Sequence, residues 1–308
     1  MRRPIPLLVA VGLLLAVNIS LAKAAHDAGA SAVLTALVST GGAGVMLLVL
    51  AAATGHSFVL APRRLLFYAA AGGVSYALPN LLVFAAAGRV GPAFAALLHA
   101  LVPGLTYLVA IGWGMDRLLP RRATGLLLGL VGATGVIVAR LGFSNEAEAA
   151  TLLLALLAPV SIAFGNVIRS RYWPRDAGPL DIAPGMLLLA AAELGLLLLA
   201  RPEARAAPGA ALPVLASLAA VSAVFYALYF RLQHIAGPVY LSQIGYVATA
   251  FALPMAVLIF GDHVTAGMVA GAVLVILGVI LVRPTVTRQP ASSPDPLRPI
   301  PPIPAGEA

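Results

Sequence analysis

The chain has 308 residues and no cysteine, which removes disulfide frameworks and thiolate metal sites. Charge is scarce as well: 10% of residues are Asp, Glu, Lys or Arg, where a soluble domain carries about 25%. Such a chain cannot cover a water-facing surface. Catalytic signatures are missing too, with no HExxH, no GxSxG, no glycine-rich phosphate loop and no paired intramembrane aspartates. The histidines (His26, His56, His99, His234 and His263) are scattered over different loops and spans, so neither a metal site nor a cofactor is expected. What the chain has in abundance is apolar: 61% hydrophobic residues and a mean hydropathy of +1.00. In a soluble protein a net charge of +8 would suggest nucleic acid. Here the arginines stand between apolar runs, and membrane topology accounts for them better. The composition describes an all-α integral membrane protein whose solvent is the lipid bilayer, and not an enzyme.

A span needs about 20 apolar residues. Ten such runs are expected, over 5–24, 32–53, 65–87, 91–113, 122–140, 150–169, 182–200, 212–231, 238–260 and 264–282. An even number puts both termini on one side. With the N-terminus inside, fourteen cationic residues, among them Arg63, Arg64, Arg121 and Arg169, fall on the cytoplasmic side. Lys23, Arg89, Arg140, Arg201 and Arg205 fall outside, a strong positive-inside bias that predicts an inner-membrane protein with cytoplasmic termini. Residues 1–24 resemble a signal peptide, but cleavage would break the duplication described next, so the first run is expected to remain as an anchor. Residues 284–308 are rich in Pro and Ser, and are expected to form a disordered cytoplasmic tail.

Shifting the chain by 146 positions brings landmarks into register without a gap. Gly91-Pro92 falls on Gly237-Pro238, Asp116 on Asp262, Gly125 on Gly271, Gly132 on Gly278, Phe84 on Phe230 and Lys23 on Arg169. Each half, 1–145 and 146–283, would hold five spans. An odd number per half makes the two repeats inverted relative to each other.

The pieces AGRVGPAFAALLHALVPGLTYLVAIGWGMDRL and AGPVYLSQIGYVATAFALPMAVLIFGDHVTAGMVAGAVLVILGVILV resemble the EamA domain of the drug/metabolite transporter superfamily. The resemblance spans about residues 5–283. It implies a ten-helix secondary transporter that moves a small solute through a cavity between the halves by alternating access. Two departures stand out. Asp replaces the family's usual Glu at Asp116 and Asp262, and Thr249 stands where the repeat predicts a counterpart to Pro103, with Pro254 five residues later.

Polar groups in mid-span are the candidate site residues, because hydrocarbon gives them no partner. They are Asn18, Tyr76, Asn80, His99, Asn166, Tyr226, Gln243 and Tyr246, with Pro103 and Tyr107 on the His99 face of one helix. Pro103 frees a backbone carbonyl, which at membrane depth is tolerated where it lines a cavity or meets a polar group. His99 is a candidate proton carrier, its ring titrating near pH 6.5, roughly. Glu193, the carboxylate set deepest in a span, is the second candidate for proton coupling. For each of these, a helix–helix hydrogen bond is the competing role. Asp116 and Asp262 read as structural stops, and the glycines at 125, 129, 132 and 135 as a close-packing face that serves helix packing or a homodimer.

The function expected is transport of a small metabolite, amino-acid-like or otherwise amphipathic, in the export direction. A lipid-linked or isoprenoid flippase is the alternative within transport, and a non-transporting accessory protein the alternative outside it. Removing residues 284–308 separates the last of these. A transporter keeps its activity in a flux assay, whereas an accessory protein working through its tail loses function.

Overall fold

The computed structural model describes residues 4–56, 61–141, 146–174, 176–205, 208–261 and 266–281. Asp262, His263 and the tail 284–308 lie outside the described residues. Among those described there is no strand. The helices are α1 (Ile5–Asp27), α2 (Ala32–Ala53), α3 (Pro62–Gly72), α4 (Leu78–Arg89), α5 (Pro92–Gly112), α6 (Pro120–Leu141), α7 (Glu146–Ala155), α8 (Leu157–Arg171), α9 (Pro179–Ala200), α10 (Leu212–Leu241), α11 (Ile244–Phe260) and α12 (Ala266–Leu281).

Seven helical stretches are long and apolar enough to cross a bilayer: Ile5–Asp27, Ala32–Ala53, Pro62–Arg89, Pro92–Gly112, Ala149–Arg171, Pro179–Ala200 and Gly209–Leu241. The other expected runs, 122–140, 238–260 and 264–282, correspond to α6, to the end of α10 with α11, and to α12. Large apolar side chains such as Leu258 (83% exposed) and Leu66 (72%) stand on the outside, as a lipid-facing surface requires.

Three expected spans are not plain α-helix. Between α3 and α4 the residues Gly73–Ala77 form a π-turn. The sixth run is interrupted at Leu156, between α7 and α8. The run 238–260, expected as one helix, is instead broken at Ser242–Gln243, so that α11 starts at Ile244. Gly237 (φ 75°) turns the chain within α10 and Pro238 starts the short piece that follows; Gly91 (φ 117°) and Pro92 do the same at the start of α5. Only glycine takes such φ values cheaply, and proline suits a first helical turn because its missing N–H is an orphan there anyway.

Helix contacts set the interior. α5 packs on α8 and α11, α1 on α10 and α11, α2 on α9 and α10, and α6 on α12. α12 meets the α6 backbone at Gly125 and Gly129. A Cβ on Gly278 of α12 would fall against the Gly125 carbonyl oxygen and 2.8 Å from the Gly129 nitrogen. The α5–α11 crossing is equally close. Pro103 lacks the N–H that would bond the His99 carbonyl four residues back. Gly245 brings the α11 backbone against that carbonyl, and a Cβ there would stand 2.7 Å from its carbon. Thr249, on the next turn of α11, donates its hydroxyl to the Ala96 carbonyl at 2.9 Å and secures the same crossing.

Gly245→Ala therefore overpacks a backbone–backbone contact that no side-chain rotation relieves, and is expected to cost about 1–3 kcal/mol. A lowered apparent melting temperature of the purified protein checks it, and an unchanged one refutes the contact.

Candidate substrate cavity

Two of the irregular stretches, the π-turn and the α10–α11 break, converge on one space. A cavity of about 510 Å³, part of it open to the outside, is bounded by Ser75 and Tyr76 of the π-turn, Asn80 of α4, His99 of α5, and Ser242 and Gly245 beside the α10–α11 break. Leu15, Val83, Val102, Ile162, Phe225 and Ile244 supply an apolar wall, and no Asp or Glu is among the lining residues. Non-helical backbone at membrane depth needs partners from within the protein. The Ser161 hydroxyl supplies one to the π-turn, donating to the Val74 carbonyl at 2.6 Å. Gly165 leaves room for Ser75, whose Cα would lie 3.0 Å from a Cβ there.

Five of the residues singled out from sequence line this cavity: Tyr76, Asn80, His99, Asn166 and Tyr226. Asn80 donates to the Tyr226 hydroxyl at 2.8 Å and to Thr40 at 3.1 Å. The His99 ring bonds the Ala95 carbonyl through Nδ1 at 3.2 Å, which fixes its rotamer on the wall.

The others sit elsewhere. Asn18 is buried away from the lining and ties helices together, accepting from Ser222 at 2.5 Å while Ser222 also bonds Ser39 at 2.8 Å. Pro103 works through the α5–α11 crossing described above. Tyr107 closes the α5–α6 connection, its hydroxyl donating to the Arg117 carbonyl at 2.6 Å and accepting from Leu119 N at 3.0 Å. Gln243 lies in the helix break, buried, with no partner for Nε2. Tyr246 packs with Ala100 and Leu101. Glu193 is outside the lining; its carboxylate lies over Gly73 of the π-turn, where an added Cβ would meet Oε2 at 2.5 Å.

Sequence reasoning does not single out Ser75, Tyr229 or Ser242, which also line the cavity. Tyr229 had a signal, since it follows Tyr226 by three positions and shares its helix face. Arg169 had a misleading one. Counted by topology as a cytoplasmic charge, it is fully buried. Its Nε donates to Gln233 at 2.9 Å, and its Nη2 to Asn166 at 2.8 Å and to Tyr229 at 2.5 Å. The guanidinium also stacks 5.0 Å from the Tyr76 ring centroid and 5.4 Å from that of Tyr229.

Because Asn80 and Tyr226 are directly bonded, a double-mutant cycle with Asn80→Ala and Tyr226→Phe should give a coupling of about 0.5–3 kcal/mol in unfolding free energy. Additive effects would mean that the pair does not form.

Comparison with known proteins agrees with this architecture. Residues 149–283 match the model of the EamA-like transporter family. A solved structure described only as "Crystal structure of protein" shares the fold, with a TM-score of 0.69 at 22% identity, covering 91% of this chain and 96% of that one. Among curated proteins, none matches. Residues 149–283 thus match an EamA-like transporter domain, within a chain that has, among its described residues, seven helical stretches long and apolar enough to cross a membrane.

Proposed function

We propose that the protein is a secondary transporter that exports a small amphipathic metabolite across the inner membrane by alternating access. The cavity would lie between two inverted five-helix repeats, 1–145 and 146–283, with both termini cytoplasmic. One observation carries this reading. Asn80 and Tyr226 are 146 positions apart and hydrogen-bonded, and His99 and Gly245 are 146 positions apart and in backbone contact. Equivalent residues of two repeats meet each other only at the axis relating them. The packing supports the same relation: exchanging the halves turns the α1–α11 contact into α8–α5, α1–α10 into α8–α4, and α2–α10 into α9–α3, and all of these occur.

An axis through the cavity suits a site that faces each side of the membrane in turn. The apolar wall and the few polar groups suit an amphipathic solute. The positive-inside bias supports the orientation. His99 on the wall, and Glu193 against the π-turn, are the groups proposed for proton coupling. Gly278 of α12 packs on the α6 backbone at Gly125 and Gly129, while an added Cβ at Gly129 or Gly135 would meet nothing within 4 Å, so part of the glycine face stays open for a homodimer.

The test is flux in proteoliposomes over a panel of amino acids, nucleotide sugars, phosphorylated metabolites, organic acids and cationic drugs. His99→Ala removes a cavity-wall hydrogen-bonding group and is expected to lower flux about 3- to 10-fold with normal membrane insertion. Unchanged flux would remove His99 from the site. Absence of flux for every compound, under either direction of pH gradient, would count against transport.

A further inference from the structure

We infer that the cavity is built for a small organic monoanion, a carboxylate carried on an apolar body, with Arg169 as the group that recognises its charge. This rests on the transporter reading above and specifies its substrate class.

The argument begins with an imbalance of charge. Arg169 is buried at 0% exposure, and among the described residues no carboxylate pairs with it. A guanidinium keeps its charge at every physiological pH, so it cannot relieve burial by losing a proton. Its neutral shell of Gln233, Asn166 and Tyr229 serves Nε and Nη2, but Nη1 is buried with no partner. An unsatisfied donor on a buried ion is costly to keep, and here the deficit is specifically of negative charge.

Placement connects that deficit to the cavity. Tyr76, Asn166 and Tyr229 touch Arg169, and all three also line the cavity. The guanidinium is therefore one side-chain layer from the space, and nothing acidic in the lining offsets its field. Tyr76 is the shutter in that layer. Its hydroxyl is buried without a hydrogen-bond partner, and its ring stacks on the guanidinium. A carboxylate entering beside Tyr76 turns the ring aside and bonds Nη1, completing the set of donors with a charge-assisted bond.

The number of charges selects the class. A phosphate group carries about −1.5 to −2 charges at neutral pH and calls for several donors or a second cation. No Lys or Arg is among the lining residues to add to Arg169, so a single negative charge fits better. The apolar wall and the rings of Tyr76, Phe225, Tyr226 and Tyr229 suit a hydrocarbon or aromatic body.

The experiment uses the full chain in lipid nanodiscs and reads binding by thermal shift and calorimetry. The probes are phenylacetate, its neutral amide, phenethylamine and inorganic phosphate. Phenylacetate is expected to bind wild-type protein about tenfold or more tighter than the amide or the amine. Phosphate is expected to give no shift. Arg169→Gln should bring the acid and the amide within about twofold of each other, and Arg169→Lys should keep a weakened preference for the acid. If Arg169→Gln fails to fold, the comparison of acid with amide in the wild type decides alone. Equal binding of acid and amide, preference for the amine or for phosphate, no response to phenylacetate at millimolar concentration, or an acid preference retained in folded Arg169→Gln would each overturn the proposal. Flux separates it from the broader reading. Transport of neutral or cationic solutes alone would keep the transporter and discard the anion, whereas selective binding of the acid without any flux would do the reverse.

Discussion

Hydrocarbon provides no hydrogen-bond partner, and every interruption of a helix in this chain has to be answered from inside the protein. The π-turn at Gly73–Ala77 is answered by the Ser161 hydroxyl, and the carbonyl freed by Pro103 is covered by the Gly245 backbone. At the α10–α11 break, Ser242 donates its own hydroxyl to the Val239 carbonyl. These repairs draw α5, α8 and α11 around the irregular segments. The cavity is the space that remains beside them. Structure and site are thus linked at two places, the π-turn and the α10–α11 break, where irregular backbone borders the cavity.

The large-scale organisation was legible in the sequence because it depends on one-dimensional quantities. Run length and hydropathy gave the apolar helices, whereas the hydrogen bond between Asn80 and Tyr226 was not expected from the sequence. Finer features depend on neighbours that the sequence does not order. Gln243 reads as a polar residue in mid-helix, yet it sits in a break, because nothing in SQIGY states that the helix stops there. Tyr107 reads as a third residue on the His99 face, and the turn towards α6 recruits its hydroxyl instead. Arg169 was the most deceptive. An arginine near a span end reads as an interfacial charge, and only the positions of Gln233, Asn166 and Tyr229 show that it has been drawn inside.

The polar side chains divide by what they touch. Asn18, Ser39 and Ser222 form a closed chain of hydrogen bonds across α1, α2 and α10. Tyr76, Arg169 and Gln243 each keep a buried atom without a partner, near or beside the cavity. Satisfied groups hold helices together, whereas the unsatisfied ones beside the cavity leave its surroundings short of hydrogen-bond partners.

The glycine seam between α6 and α12 has a mechanical consequence. Two backbones that meet with no side chains between them have no soft layer to shear, and among the described residues the pair reaches the remaining helices mainly through α5. It is therefore a keel: close-packed where Gly278 meets α6, and lightly attached to the other helices. A bundle with such a keel has one edge whose spacing is set by backbone contact, with Leu127, Val131 and Leu277 turned outward along it as a lipid-facing rim.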